Sequence, residues 1–166
     1  MYHWSLCVTR RVTVSEPAQG RRSITEGLET GFTITEPGSL AERMSGVNAE
    51  LAGFDMIIEC SGYPPALEQA LAWTKRGATI MIFGCAPPGM SVSLCPEDVF
   101  RKELTILGAL INPSTYARAV QLAANLGPRY LEYDKLGVAT FDVANYEEAI
   151  QQLKKGQIAK AVFKMN

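Results

Sequence analysis

"FDMIIECSGYPPALEQALAWTKRGATIMIFG", residues Phe54–Gly84, holds the unit from which the fold follows. Its two ends, Phe54 to Cys60 and Thr79 to Gly84, are short runs that are apolar on both faces rather than alternating. That pattern suits strands covered by helices on both sides, as in a parallel sheet. Between them, Pro64 and Pro65 can open a helix without losing a hydrogen bond. Ala66, Leu67, Ala70 and Leu71 follow at helical spacing, Lys75 and Arg76 fill the expected last turn, and Gly77 is the stop. A strand–helix–strand crossover is expected.

The same pattern recurs on either side. "VTVS" (Val12–Ser15), "LTILGALI" (Leu104–Ile111) and "IAKAVF" (Ile158–Phe163) read as further strands. A helix is expected over Thr115–Asn125, with Tyr116, Ala119, Val120 and Ala123 on one stripe. Another is expected over Tyr146–Lys155, with Asn145 as N-cap, Glu148 making the return contact and Gly156 closing it. From Gln19 to Gly53, Gly20, Gly27, Gly31, Gly38 and Gly46 interrupt the helical pattern. Repeated strand–helix–strand units predict a doubly wound α/β sheet, in which ligands sit outside the carboxyl ends of the strands. Three such ends carry a carboxylate or small residues: Ser15–Pro17, Cys60–Gly62, and Gly84 with the prolines of "GCAPPG".

Composition narrows the function classes. With 166 residues, 47% apolar and 20% charged, the chain can bury a core and fits one domain and part of another. Sixteen basic residues face 17 acidic ones, the net charge is −1, and no run of like charge occurs. Nothing favours nucleic acid or a membrane surface as partner. No apolar stretch approaches the roughly 18 residues of a membrane span. "MYHWSLCVTRR" at the amino terminus holds too few apolar residues for a secretory signal. Cys7, Cys60, Cys85 and Cys95 form no CxxC pair, which favours reduced thiols in a cytoplasmic protein over a disulfide framework.

Three stretches in order, "GFDMIIECSGYPPALEQALAWTKRGATIMIFGCAPPG", "FRKELTILGALINPSTYARAVQL" and "NYEEAIQQLKKGQIAKAVF", carry a family resemblance. Together they resemble the carboxyl-terminal half of medium-chain, zinc-type alcohol and polyol dehydrogenases, most closely the sorbitol and threonine dehydrogenase branch. The resemblance covers about Val12 to Phe163. It implies a partial Rossmann-type parallel sheet over residues 1–111, and over 112–166 a return segment that packs on a GroES-like catalytic domain. It implies an NAD-dependent oxidoreductase acting on a small-molecule secondary alcohol or polyol, with zinc in the intact enzyme only, and a homo-oligomer. In that family, a short strand at the place of "MSVSL" (Met90–Leu94) pairs with its twin across a dimer axis.

The resemblance also assigns roles. Glu16 would grip the adenosine ribose and repel a 2′-phosphate, favouring NAD over NADP, although a solvated turn glutamate is the plainer reading. Arg21 would flank the adenosine, or with Arg22 be surface charge. Cys60, Ser61 and Gly62 would line the ribose and nicotinamide side. Phe83, Gly84 and Cys85 would border the nicotinamide, with main-chain contacts from Ala109, Leu110 and Ile111. A tight Pro-Pro turn with no ligand is the alternative there. Lys160 would reach the pyrophosphate, or simply be solvated.

Parts of the family pattern have no match in this sequence. The only histidine is His3, outside the matching region, and no GxGxxG occurs, so no catalytic residue or metal ligand is assigned. Two other readings stay open: a zinc-independent quinone reductase of the same superfamily, and a non-catalytic nucleotide-binding remnant.

Overall fold

The computed structural model describes residues 11–111 and 114–165. His3, Cys7 and the expected boundary residue Asn112 lie outside the described residues. The described chain forms two compact units: residues up to Ala41 with those from Arg118 onward, and Glu42–Ala117.

The continuous unit is built on the crossover read from the sequence. A short helix α3 (Ala49–Ala52) precedes strand β3 (Phe54–Glu59), helix α4 (Pro64–Ala72) and strand β4 (Thr74–Ile82). Helix α5 (Pro96–Lys102) and strand β5 (Thr105–Gly108) follow. The three strands pair in the order β3-β4-β5, all parallel. Ile57, Ile80 and Ile106 are aligned on one face, and Ile80 is fully buried there. Ile58, Met81 and Leu107 are aligned on the other, where Ile58 and Leu107 are exposed. Helix α4 packs on β3 and β4, and α5 on β4.

The crossover differs from expectation at its second half. Lys75, Arg76 and Gly77 do not end the helix; they belong to β4, which begins at Thr74. The β3 ladder flanks them at Thr74 and Thr79, and Lys75 pairs with Asp55 at 2.9 Å and Arg76 with Glu50 at 2.7 Å. Met90–Leu94 forms no strand within this chain: an edge segment needs a ladder partner, and here the Ser93 N–H donates to Glu68 Oε1 (2.8 Å) instead.

The other unit holds strand β1 (Thr13–Ser15), helix α1 (Gln19–Gly27), strand β2 (Thr33–Thr35) and most of helix α2 (Pro37–Met44). From the far end of the chain come most of helix α6 (Tyr116–Tyr130), strand β6 (Val138–Asp142), helix α7 (Tyr146–Lys154) and strand β7 (Lys160–Lys164). β1 pairs with β2 and β6 with β7, both parallel. Ala149 of α7 is fully buried. Asn145 stands at the α7 N-cap position, but its side chain makes no capping bond, contrary to the expected box. Helix α6 runs past the expected Asn125 and kinks at Gly127, and Tyr116, Ala119 and Val120 of its stripe are exposed.

Candidate functional site

In the discontinuous unit, the turn from β1 into α1 is organised around Glu16. Its Oε1 accepts from the Ala18 N–H (2.8 Å) and from the Arg21 guanidinium (2.7 Å). Arg22 donates to the carbonyls of Glu16 (2.8 Å) and Pro17 (2.7 Å), fixing the same turn from outside. Partial burial pushes the Glu16 carboxyl up, but the Arg21 and Ala18 bonds and the charges of Arg21 and Arg22 outweigh it and hold it below its usual range. Glu16 is therefore ionised at neutral pH, and Glu16 in turn raises Arg21. Both hydrogen bonds use one oxygen, leaving Oε2 without a partner among the described residues. The start of α1 is seated on the end of α7: a Cβ at Gly20 would fall on the Gly156 carbonyl oxygen. Lys160 is exposed at the start of β7, in register with Val138.

In the continuous unit, the ends of β3 and β4 form two interlocked turns. Glu59, the last residue of β3, is buried and folds its own turn. Its Oε1 accepts from the Ser61 N–H (2.6 Å), the Ser61 hydroxyl and the Gly62 N–H (3.1 Å), which also reaches Oε2 at 3.1 Å. The Ser61 oxygen then accepts from the Tyr63 N–H at 3.0 Å. The Glu59 carbonyl accepts from Phe83 (2.9 Å) and Gly84 (2.7 Å), tying the second turn to the first. Gly84 has no room for a Cβ, which would fall on the Gly62 nitrogen and 2.7 Å from the Cys60 carbonyl carbon. Gly62, at φ 67°, would in turn meet the Cys85 carbonyl. The abrupt stop after "MIF" thus has an immediate cause: the neighbouring turn occupies the space.

Around these turns lies a cavity of about 200 Å³ whose lining includes Glu59, Tyr63, Leu67, Ile82, Met90 and Val92. Phe83 is exposed, as are Cys60 and Cys85. Burial, aided by the Glu59 charge, pushes the Cys60 thiol up, which opposes thiolate chemistry. At the end of β5, the Ala109 N–H donates to the Ile82 carbonyl (3.0 Å). Leu110 and Ile111 beyond it are 82% and 83% exposed, and Ile111 takes φ 52°, a costly conformation for a β-branched residue.

The structure therefore gathers Cys60, Ser61, Gly62, Phe83, Gly84 and Cys85 at two adjoining turns, and Glu16 with Arg21 at a third. Sequence reading missed Glu59. Its only signal was an acid placed directly before "CSG", where a side-chain acceptor can fold the turn. Among the described residues no three His, Cys, Asp or Glu side chains gather as metal ligands, so the donors present do not fit a zinc site.

Parallel strands joined by helices, with an ionised acid and small-residue turns at their carboxyl ends, define a Rossmann-type α/β protein. The family model for zinc-binding dehydrogenases matches residues 7–125, and the chain belongs to that family. It is 28% identical over 164 residues to the L-threonine 3-dehydrogenase of Pyrococcus furiosus, covering 92% of this chain and 43% of that enzyme. The 2R,3R-butanediol dehydrogenase of Bacillus subtilis superposes with a TM-score of 0.70 at 25% identity, over 94% of this chain and 44% of that one. A protein described as a zinc-binding dehydrogenase from Sinorhizobium meliloti 1021, bound to NADP, does so at 0.70 and 27% identity, over 86% and 41%. The chain thus spans less than half the length of these relatives. No helix among the described residues is long and apolar enough to cross a membrane.

Proposed function

We propose that this chain supplies the nucleotide-binding part of an oxidoreductase that transfers hydride between a secondary alcohol or polyol and NAD. The observation that carries the reading is the ionised Glu16 carboxylate at the end of β1, with Oε2 left to accept from a ribose hydroxyl. In this reading Arg21 flanks the adenosine, and Cys60, Ser61, Gly62, Phe83, Gly84 and Cys85 lie along the ribose and nicotinamide. Ala109, Leu110 and Ile111 offer main-chain contacts and Lys160 meets the pyrophosphate. Residues 1–111 then form the cofactor part and 112–166 the segment that packs on a catalytic domain. Relatives named L-threonine 3-dehydrogenase and 2R,3R-butanediol dehydrogenase support a small hydroxylated substrate. We place the protein in the cytoplasm, as a homo-oligomer paired through Met90–Leu94. Val92→Pro removes an N–H there and should shift light scattering towards monomer, and an unchanged dimer would refute the pairing.

Titration of the full chain with NADH and NADPH tests the cofactor assignment. NADH should bind about tenfold to a hundredfold more tightly, because the Glu16 charge opposes a 2′-phosphate, and Glu16→Ala should narrow the gap. Equal affinities in the unmodified chain would show that Glu16 does not meet the ribose. A preference for NADPH would transfer the role to Arg21, the residue type that accommodates a 2′-phosphate. Zinc-dependent turnover of an alcohol is expected of the whole enzyme and not of these 166 residues alone.

A further inference from the structure

Glu59 is a buried acid with no ion-pair partner among the described residues. Such a group is costly unless its oxygens are fully hydrogen-bonded, and here they are used on one turn only. The side chain takes the two amide hydrogens and the hydroxyl of Ser61 and Gly62, while the main-chain carbonyl takes the amides of Phe83 and Gly84. One residue therefore fixes both adjoining turns. It also ties up these amides and the Ser61 hydroxyl, and the exposed side chains of the turns include Cys60, Phe83 and Cys85. We infer that Glu59 is a positioning residue for the nicotinamide side of the nucleotide: its side chain holds the Cys60–Gly62 turn, on which the Gly84 backbone packs, in one shape without touching the ligand.

This inference rests on the reading of the turns given above, and it makes a claim that a merely structural role does not. Removing the Glu59 acceptor should weaken binding of a ligand that reaches these turns and spare one that does not. The test uses the full chain with NADH and AMP as probes, in the unmodified protein and in Glu59→Gln. The glutamine is nearly isosteric, but its amide group presents a donor to the Gly62 N–H, so one acceptor position is lost. NADH affinity should fall about tenfold, the size expected for one buried donor left opposed, while AMP affinity stays within about twofold. Amide exchange at Ser61 and Gly62 should quicken while that at Ala78 and Ile80 does not change.

Unchanged NADH affinity in Glu59→Gln would overturn the positioning role and leave the nucleotide site standing. Equal losses for NADH and AMP would overturn it too, by reducing Glu59 to a residue of general stability. Failure of the unmodified chain to bind either probe would overturn the reading of the site itself, and the positioning role with it. If Glu59→Gln does not fold, Glu59→Asp keeps the charge one methylene short of the amides and should show the same split between probes. Loss of folding in both variants would make Glu59 a residue of the fold alone.

Discussion

Two acids end two parallel strands in this chain, and they have opposite surroundings. Glu16, after β1, is partly exposed, pairs with Arg21 at 2.7 Å and keeps one oxygen without a hydrogen-bond partner among the described residues. Glu59, at the end of β3, is 6% exposed, has no ion-pair partner among the described residues and spends both oxygens on Ser61 and Gly62. An acid at a strand's carboxyl end can thus meet a ligand or build the turn that does. The number of backbone amides within its reach decides which.

The largest effect should come from removing the turn-building acid. Glu59→Ala leaves the Ser61 and Gly62 amides without their acceptor and should cost about 2–4 kcal/mol in urea unfolding. A loss of less than about 1 kcal/mol would mean that water replaces the carboxylate and that the two acids are not so different. Gly84→Ala comes next, at about 2–3 kcal/mol, because its methyl would meet the backbone of Cys60–Gly62, which can give way only by moving the whole turn. Gly27 of α1 provides the control: a Cβ there meets nothing within 4 Å, so Gly27→Ala should stabilise the protein by about 0.5–1 kcal/mol.

Glu16 should matter less to stability and more to its pH dependence. Its exposed pair with Arg21 is screened by solvent, so Glu16→Gln should cost about 0.5 kcal/mol at neutral pH. The folded-state carboxyl lies below its ordinary 4.5. Its contribution is therefore complete above that value and disappears as pH falls through the lower folded one. Unfolding curves of the unmodified chain and Glu16→Gln should differ at pH 7 and converge in strong acid. A gap that widens on acidification would reverse the sign. The smallest effect concerns Cys60, whose thiol is raised by burial and by Glu59. Glu59→Gln should speed its alkylation about two- to fivefold, followed by mass spectrometry, while Cys95 serves as an unaffected reference.

The parallel strands and the crossover were legible because they depend on local signals, apolar runs and paired prolines, even though the glycine stop expected at Gly77 falls inside β4. The start of β4 was not. "TKRG" has the composition of a helix end, but Thr74 joins the ladder opposite Phe54, a long-range pairing to which the Asp55 and Glu50 ion pairs add. β2 and β6, "TIT" and "VATFD", mix polar with apolar residues and form no apolar run, and pairing with β1 and β7 defines them. Glu16 stood out as a carboxylate at a strand end, and the family resemblance lent it a role. Glu59 was hidden inside an apolar run, since what marks it is a hydrogen-bond pattern that exists only once the turn has formed. The gap at Gly84 was visible as a missing side chain, while its first occupant, the backbone of the adjoining turn, was not.

The division of the chain into a continuous and a split unit bears on its synthesis. Glu42–Ala117 contains every strand and helix of its own sheet, so it can fold as soon as it has left the ribosome. The other unit needs both ends of the chain, because α1 rests on the Gly156 turn that is made almost last. Strands β1 and β2 pair with each other and can form early, but α1 must wait through the synthesis of everything between for its seat, and closing so long a loop is entropically slower. Stalled nascent chains that expose residues only through Ala117 should already protect the Ile80 amide from exchange, whereas Ile24 of α1, whose helix rests on the Gly156 turn, should gain full protection only once that turn has emerged.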